Sequence, residues 1–213
     1  MHPAKEVGGD FFDFFLLDSD HLCVSVGDVS GKGTPAALFM AVTKYLIEAS
    51  VGLETSLDRA LEKINSLLVK NNDSCMFVTV FIGVLNLKTG EMVYASAGHN
   101  SPVIWANNRE AEFLEAIGGP ILGIVEPGNF RIGAITLRSQ ERLLIYTDGV
   151  TEAFDLCNEV FSEARLIRTV NLMGEIDSKG ITEKVLFEIE KFCDGVPQSD
   201  DITILVLRYT PGT

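Results

Sequence analysis

The sequence predicts an α+β domain of stacked layers, in which β-sheets are covered by helices. Most strand candidates between residues 76 and 147 are joined by short links, and short links favour antiparallel pairing. Helix candidates stand on both sides of this block in the chain, which is typical of sheets packed against helices. The 213 residues are 46% hydrophobic and 22% charged, so the chain fits one domain with a sizeable core rather than a disordered protein.

The strands are predicted from β-branched and aromatic runs that are separated by turn signals. The turn Asp18–Ser19–Asp20 separates the first two strands, and Lys88–Thr89–Gly90 is a hairpin turn. The segment Met76–Leu87 is so continuous and β-branched that it is typical of a central strand. The predicted strands are Phe11–Leu17, Leu22–Val26, Met76–Leu87, Met92–Ala97, Pro102–Trp105, Phe130–Leu137, Arg142–Thr147 and Ile202–Tyr209.

The first helix is predicted at Ala36–Ile47, with Thr34 as its N-cap and Pro35 at its first position. This segment is apolar all round, which predicts a deeply buried helix. A second helix follows the capping-box-like Thr55–Asp58 and presents one apolar face. That face comprises Leu57, Ala60, Leu61, Ile64, Leu67 and Leu68. The remaining helices are predicted at Glu163–Met173 and Ile181–Cys193.

The charge balance argues against several classes of partner. The chain has 17 basic and 30 acidic side chains, a formal net charge of −13, with no run of Lys or Arg. A basic face is needed to neutralise nucleic-acid phosphates or to adhere to anionic membranes, so neither partner is expected. The apolar stretches are too short to span a bilayer, and no signal segment opens the chain. These features predict a cytoplasmic protein with no membrane insertion.

The cysteines indicate neither a disulfide framework nor a zinc site. Cys23, Cys75, Cys157 and Cys193 stand far apart and form no C-x-x-C pair. This spacing is typical of buried or idle thiols in a reducing compartment.

Four aspartates, each beside a glycine or at the end of a hydrophobic run, suggest metal chemistry: Asp10, Asp28, Asp148 and Asp200. Such carboxylates would repel one another at one sheet edge unless divalent cations lay between them. Oxygen ligands favour Mg²⁺ or Mn²⁺ over zinc, and two such ions about 3.5–4 Å apart form a hydrolytic centre. The alternative for any one of these residues is a turn former, since aspartate beside glycine is common in loops.

Five motifs stand in order: Val7–Asp13, Gly27–Gly33, Ala97–Asn100, Tyr146–Glu152 and Ser199–Thr203. With them the chain resembles the SpoIIE/RsbU branch of the metal-dependent protein phosphatases, the protein phosphatase 2C superfamily, from Val7 to about Tyr209. The resemblance implies a four-layer αββα sandwich, in which helix pairs flank a central antiparallel β-sandwich. It also implies hydrolysis of phosphoserine or phosphothreonine on proteins by a water that two Mn²⁺ or Mg²⁺ ions activate.

The resemblance further implies a role for each matching residue. Asp28 bridges both metals and the backbone carbonyl of Val29 adds a ligand. Asp148 and Asp200 hold one metal, and Asp10 holds or orients the other through water. Asp201 stands where the wider superfamily usually has Asn, so it is expected to support the ligands, and the choice between Asp200 and Asp201 as ligand stays open.

The proton for the leaving group has no obvious donor. Eukaryotic members place a His two residues after the bridging Asp, where this chain has Ser30. A hydroxyl is a poor acid, so a metal-activated water or solvent at the leaving oxygen would supply the proton. Asp13 is a candidate for managing a water near the metals. His99 is a candidate acid, but a lone His after a strand is more often a hydrogen-bonded turn residue.

The resemblance also carries expectations about partners. Residues 1–213 are expected to form one catalytic domain, the C-terminal part of a larger signalling protein with an upstream sensor or receiver domain. The expected substrate is a phosphoserine on an anti-sigma-factor antagonist, and regulation is expected through homodimerisation or movement of a helix near the metals. Substrate selectivity is expected in Gly118–Phe130 and Phe154–Ser178.

Competing functions fit the sequence less well. Gly27 to Lys32 has one residue too few for a P-loop. Gly31–Ala36 fits a dinucleotide fingerprint weakly, without the sustained βαβ alternation that such folds need. The cysteines lack the arginine six residues later that a cysteine phosphatase requires. The remaining alternative is a catalytically weak regulatory module that keeps the fold and binds a partner.

Overall fold

The computed structural model describes residues 1–4, 8–70, 72–107, 109–115 and 117–211; Val7, the start of the first motif, lies outside them. In one sheet the strand order is β1-β2-β3-β4-β7, and β8 pairs with the other end of β4. The order in the second sheet is β10-β9-β5-β6. The strands are β1 (Phe11–Leu16), β2 (His21–Val29), β3 (Val78–Asn86), β4 (Glu91–Ala97), β5 (Val103–Ala106), β6 (Arg109–Phe113), β7 (Gly118–Gly119), β8 (Gly133–Thr136), β9 (Arg142–Tyr146) and β10 (Ile204–Arg208).

Helices cover the outer face of each sheet. They are α1 (Thr34–Ser50), α2 (Leu57–Lys70), α3 (Ser162–Asn171) and α4 (Ser178–Cys193). One apolar cluster joins α1 and α2 to the first sheet, a second joins α3 and α4 to the other, and a third fills the space between the sheets. The predicted αββα sandwich is therefore confirmed.

The pairing is antiparallel, as predicted, except between β4 and β7, which run parallel. In the register of β1 and β2, Phe11 lies opposite Gly27, so the start of β1 and the end of β2 share one end of the sheet. In the second sheet Ile204 lies opposite Tyr146, which likewise puts the end of β9 beside the start of β10. Central placement of β3 between β2 and β4 is confirmed.

The prediction that the first helix is deeply buried is wrong. Helix α1 buries only Ala36, Thr43, Ile47 and Ser50 fully, a spacing that keeps one helical face on the sheet. Because the helix is apolar all round, its other face leaves Leu38 64% and Tyr45 68% exposed. The N-cap is Gly33 and not Thr34, which is already helical.

The predicted face of α2 is buried except at Leu67, which is exposed. Two short strands were not predicted, β6 and β7. Strand β6 has the sequence Arg-Glu-Ala-Glu-Phe and buries only Ala111 fully, because it lies at the edge of its sheet and needs little apolar surface.

The cysteines are free, as predicted. Among the described residues, the structure contains no helix with the length and apolar character needed to cross a membrane.

Candidate metal centre

Four segments that carry the predicted aspartates meet at one end of the sandwich. Asp10 immediately precedes β1, and Asp28 is the second-last residue of β2. On the second sheet, Asp148 follows β9 and Asp200 precedes β10. Antiparallel pairing within each sheet puts both members of a pair at the same end. The Thr147 hydroxyl, just after β9, donates a hydrogen bond to Asp10 Oδ2, just before β1, at 2.7 Å. This bond joins the ends of the two sheets that carry the aspartates.

Asp10 is the most deeply buried of the four, with 2% of its surface exposed. Burial raises its pKa to about 8, and the negative charges of Asp28 and Asp201 add to the effect. The hydrogen bond from the Thr147 hydroxyl favours the ionised carboxylate and partly opposes the rise. The side chain of Asp10 is therefore held in place but is costly to ionise.

Burial and neighbouring negative charge also raise the pKa values of Asp28 and Asp148. Burial raises the pKa of Asp28 to about 7, with further contributions from the charges of Asp148 and Asp200, while a hydrogen bond with Asp10 opposes them. The pKa of Asp148 is raised by burial and then by Asp200. The four carboxyl groups thus form one electrostatic unit in which negative charge lacks a full counter-charge.

Among the contacts of the described residues, Lys32 is the cation that lies closest to the four aspartates. The sequence analysis assigned it no role. Its Nζ lies 3.1 Å from Asp200 Oδ1 and donates a hydrogen bond to the Ser199 carbonyl at 2.7 Å. The same positive charge lowers the pKa of Asp148. Lys32 belongs to the quoted motif Gly27–Gly33, so its place in the sequence was visible although its target was not.

Asp201 supports the chain around the site. Its carboxylate accepts hydrogen bonds from the backbone N–H of Ala4 at 2.7 Å and of Gly9 at 2.8 Å. Gly9 in turn lies so close to the end of β2 that a Cβ there would come within 2.7 Å of the Val29 carbonyl oxygen. Asp201 therefore fixes the segment that brings Asp10 and the Val29 carbonyl to the same place.

Three other candidates are not brought into this unit. Asp13 points toward α1, where its carboxylate lies 3.5 Å from Lys44 Nζ. The Ser30 hydroxyl accepts a hydrogen bond from the Phe77 backbone N–H at 2.9 Å, which fastens the end of β2 to the entry of β3.

His99 is 5% exposed, and its Nδ1 lies 2.9 Å from the Thr79 hydroxyl. Its backbone N–H is also hydrogen-bonded, to the Ser96 hydroxyl at 3.1 Å. Burial lowers the pKa of His99 to about 4. The ring is therefore neutral near pH 7 and is a poor proton donor there.

The donor set fits hard divalent cations, although the side chains are not assembled as ligands in their present orientations. Over the described ranges, no group of three His, Cys, Asp or Glu side chains is spaced to hold an ion. Asp10 is turned to Thr147 and Asp200 to Lys32. The available donors are carboxylate oxygens and the Val29 carbonyl, which are the ligand types of Mg²⁺ and Mn²⁺. A cation would also offset the burial and the neighbouring negative charges that raise the pKa values of Asp10, Asp28 and Asp148.

Two residues of the motif Tyr146–Glu152 have contacts that sequence reasoning did not assign. The fully buried Thr147 donates to Asp10 and accepts a hydrogen bond from the Thr203 backbone N–H at 3.0 Å. Glu152 has a raised pKa because of partial desolvation and the charges of Asp148 and Asp200. The motif signalled both positions, but only the pairing of the two sheets shows what they face.

Replacing Thr147 by valine tests this support. Thr147→Val removes the hydroxyl that orients Asp10, so we expect Mn²⁺ affinity to fall about tenfold to a hundredfold, the usual range for partners of ligand side chains. It also leaves the Thr203 N–H unpaired, at a cost of about 1–3 kcal/mol of stability. Isothermal titration calorimetry measures the affinity.

Thr147→Ser is the matched control, since it keeps the hydroxyl, and its Mn²⁺ affinity should stay within about threefold of the wild type. Equal affinity of the valine and serine variants would show that the hydrogen bond to Asp10 does not support metal binding.

Comparison with known proteins finds relatives over most of the chain. The family model described as Stage II sporulation protein E (SpoIIE) matches residues 18–210. The chain is 32% identical to phosphoserine phosphatase RsbU of Bacillus subtilis over 152 residues, covering 70% of this chain and 44% of RsbU. It spans less than half the length of the curated relatives it matches.

Solved structures show the same fold. The PP2C phosphatase domain of SpoIIE from Bacillus subtilis, solved with a fragment of its regulatory domain, matches with a TM-score of 0.86 at 18% identity. The match covers all of this chain and 63% of that one. RsbX in complex with magnesium matches with a TM-score of 0.72 at 18% identity, over 99% of this chain and 92% of RsbX. At these identities the structural likeness establishes the fold.

Proposed function

We propose a function from one premise: the chain belongs to the SpoIIE family of PP2C-type serine/threonine phosphatases. The proposal is that it hydrolyses phosphoserine on a bacterial signalling protein, and that this substrate is an anti-sigma-factor antagonist. The observation that supports it most strongly is the convergence of Asp10, Asp28, Asp148 and Asp200 at one end of the sandwich, where burial and neighbouring carboxylates raise the pKa values of the first three. A relative named phosphoserine phosphatase supports the choice of substrate class.

In this proposal Asp10, Asp28, Asp148, Asp200 and the Val29 carbonyl hold two Mn²⁺ or Mg²⁺ ions. Such ions, when bound, activate a water for attack on phosphorus and stabilise charge on the phosphoryl oxygens. Asp28 would be the ligand shared by the two ions, as the resemblance implies; burial and the charges of Asp148 and Asp200 raise its pKa. Asp201 is kept as a supporting residue, since both its oxygens accept backbone hydrogen bonds.

The residues of the chain prepare the site in two further ways. Asp10 and Asp28 must release the proton that their raised pKa values favour, so cation binding competes with protons. Lys32 pairs with Asp200, so that ion pair would have to give way for the carboxylate to hold a metal. The Ser30 hydroxyl and the neutral His99 are both engaged elsewhere, so the leaving oxygen is protonated from water.

The direct test is phosphate release from p-nitrophenyl phosphate and from a phosphorylated anti-sigma-factor antagonist. We expect Mn²⁺-dependent turnover of both substrates, loss of turnover in EDTA and recovery when Mn²⁺ is restored. Turnover that is absent at every Mn²⁺ and Mg²⁺ concentration would overturn the phosphatase proposal and favour a regulatory module that binds a partner. Turnover of p-nitrophenyl phosphate alone would keep the reaction and reject the proposed substrate.

We also propose that the chain works with an upstream regulatory domain and as a homodimer. The regulatory domain is supported by the lengths of the curated relatives, of which the chain spans less than half, and by the solved SpoIIE structure, which includes a fragment of a regulatory domain. The dimer is proposed from the family resemblance alone. Light scattering of the protein, alone and with its natural flanking sequence, measures the oligomeric state; monomers in both cases would contradict the dimer.

A further inference from the structure

A small pocket is formed in part by the chain neighbours of two proposed metal ligands. Its volume is about 240 Å³, and its wall includes Gly149 and Ser199. Gly149 follows Asp148 in the chain and Ser199 precedes Asp200, so the Cα atoms of these two wall residues lie about 3.8 Å from the Cα atoms of two proposed ligands. The ligands themselves do not line the pocket, which opens on the segments that carry them.

The remaining walls of this pocket are mainly apolar. They come from the segment after Asp148, from the end of α4 and from the loop 195–200 that leads to Asp200. The apolar lining residues are Phe154, Ile189, Cys193, Val196, Pro197 and Ile202. Glu190 is the charged side chain in the lining. The volume is below the roughly 300–1,000 Å³ of sites for drug-sized ligands, and it suits one aliphatic or aromatic side chain.

The loop that forms the outer wall is held in place. The Gln198 side-chain amide donates to the Asp200 carbonyl at 2.6 Å and to the His2 carbonyl at 2.7 Å. The Val196 N–H bonds the Cys193 carbonyl at 3.0 Å, and Lys32 holds the Ser199 carbonyl. A pocket with a fixed wall is already formed before a ligand arrives, which reduces the entropy cost of binding.

We propose that this pocket binds an apolar side chain of the phosphoprotein substrate, within about three residues of the phosphoserine. This inference rests on the proposed phosphatase function and adds to it a determinant of substrate choice. An extended peptide advances about 3.3–3.6 Å per residue, so three residues on either side of the phosphoserine reach about 10 Å from its Cα atom. A leucine or phenylalanine in that range would leave water and fill the pocket.

The test uses phosphoserine peptides that carry Leu, Phe, Ala or Asp at each of the three positions before and after the phosphoserine. We expect one position at which Leu or Phe raises kcat/KM about tenfold or more over Asp, with Ala between them. Hydrolysis of p-nitrophenyl phosphate, which has no side chain to place, runs in parallel.

A pair of cysteine variants then locates the preference. Cys193→Phe fills the pocket from the end of α4, and the ratio of kcat/KM for the Leu and Asp peptides should fall to within about twofold of unity. Cys157→Phe adds the same bulk at an exposed site outside the lining, and the ratio should stay at its wild-type value. Because each ratio is taken within one variant, partial loss of folding or turnover does not alter it.

The possible results distinguish failure of the pocket proposal from failure of the phosphatase proposal. Equal hydrolysis of all peptides, or a preference that survives Cys193→Phe, would overturn the pocket while leaving the phosphatase function intact. Absence of hydrolysis of both peptides and p-nitrophenyl phosphate would overturn the proposed function, and the pocket's role with it.

Discussion

Asp28→Asn is expected to lower Mn²⁺-dependent kcat/KM for p-nitrophenyl phosphate at least about 1,000-fold. The pKa of Asp28 depends on Asp10, Asp148 and Asp200. Loss of a ligand between two ions removes several kcal/mol of charge stabilisation in the transition state. Each 1.36 kcal/mol corresponds to a tenfold change in rate. Steady-state kinetics at saturating Mn²⁺ measures the effect.

The variant must also be shown to be folded. Since asparagine removes a half-buried carboxylate whose pKa is raised to about 7, Asp28→Asn in EDTA at pH 8 should melt at a higher temperature than the wild type. Asp13→Asn is the matched control, because Asp13 lies on the same sheet but pairs with Lys44. It should keep activity within about threefold of the wild type. Retained activity in Asp28→Asn would remove Asp28 from the mechanism.

The second large effect is a fall in the stability of the EDTA-treated protein as pH rises. The folded-state pKa values of Asp10 and Asp28 are raised from 3.8 to about 8 and about 7. The folded state therefore binds protons more tightly than the unfolded chain. The resulting stabilisation is fully present below about pH 4 and is lost as pH rises through 7 and 8. We expect Tm to drop by roughly 5 °C or more between pH 5 and pH 9.

Saturating Mn²⁺ should remove most of this drop, because the ions then neutralise the carboxylates in place of the protons. The general repulsion within a chain of net charge −13 also grows with pH. The Asp10→Asn/Asp28→Asn double variant keeps that general term and lacks the two titrating groups, so its Tm should depend less on pH. A Tm in EDTA that is flat or rises over this range would contradict the account.

Local patterns were sufficient to predict sheets covered by helices and to single out four aspartates at the ends of hydrophobic runs; the role of these aspartates as metal ligands stays a prediction. Antiparallel strands with short links bring their ends together, so acidic residues at the ends of the runs were expected to meet. Strand β6 was missed because an edge strand with alternating charges has no strong apolar signal. The exposure of α1 was missed because apolar composition shows which residues could be buried, whereas only packing determines which face is covered.

The contacts that organise the site could not be predicted from local patterns. The bond from Thr147 to Asp10 joins residues that lie 137 positions apart, and that from Gly9 to Asp201 spans 192 positions. Lys32 was visible only as part of a glycine-rich motif, and its approach to Asp200 depends on how the two sheets pack. These pairings arise from tertiary structure, and they decide which carboxylate is free to act as a ligand and which supports the backbone.

The most direct test of the central claim is diffraction from crystals soaked in Mn²⁺, with anomalous signal collected at the manganese edge. The account predicts two peaks about 3.5–4 Å apart, with Asp28 between them, Asp148 and Asp200 at one and Asp10 near the other. Anomalous peaks that lie away from these carboxylates, or no peak at a Mn²⁺ concentration that supports turnover, would contradict it.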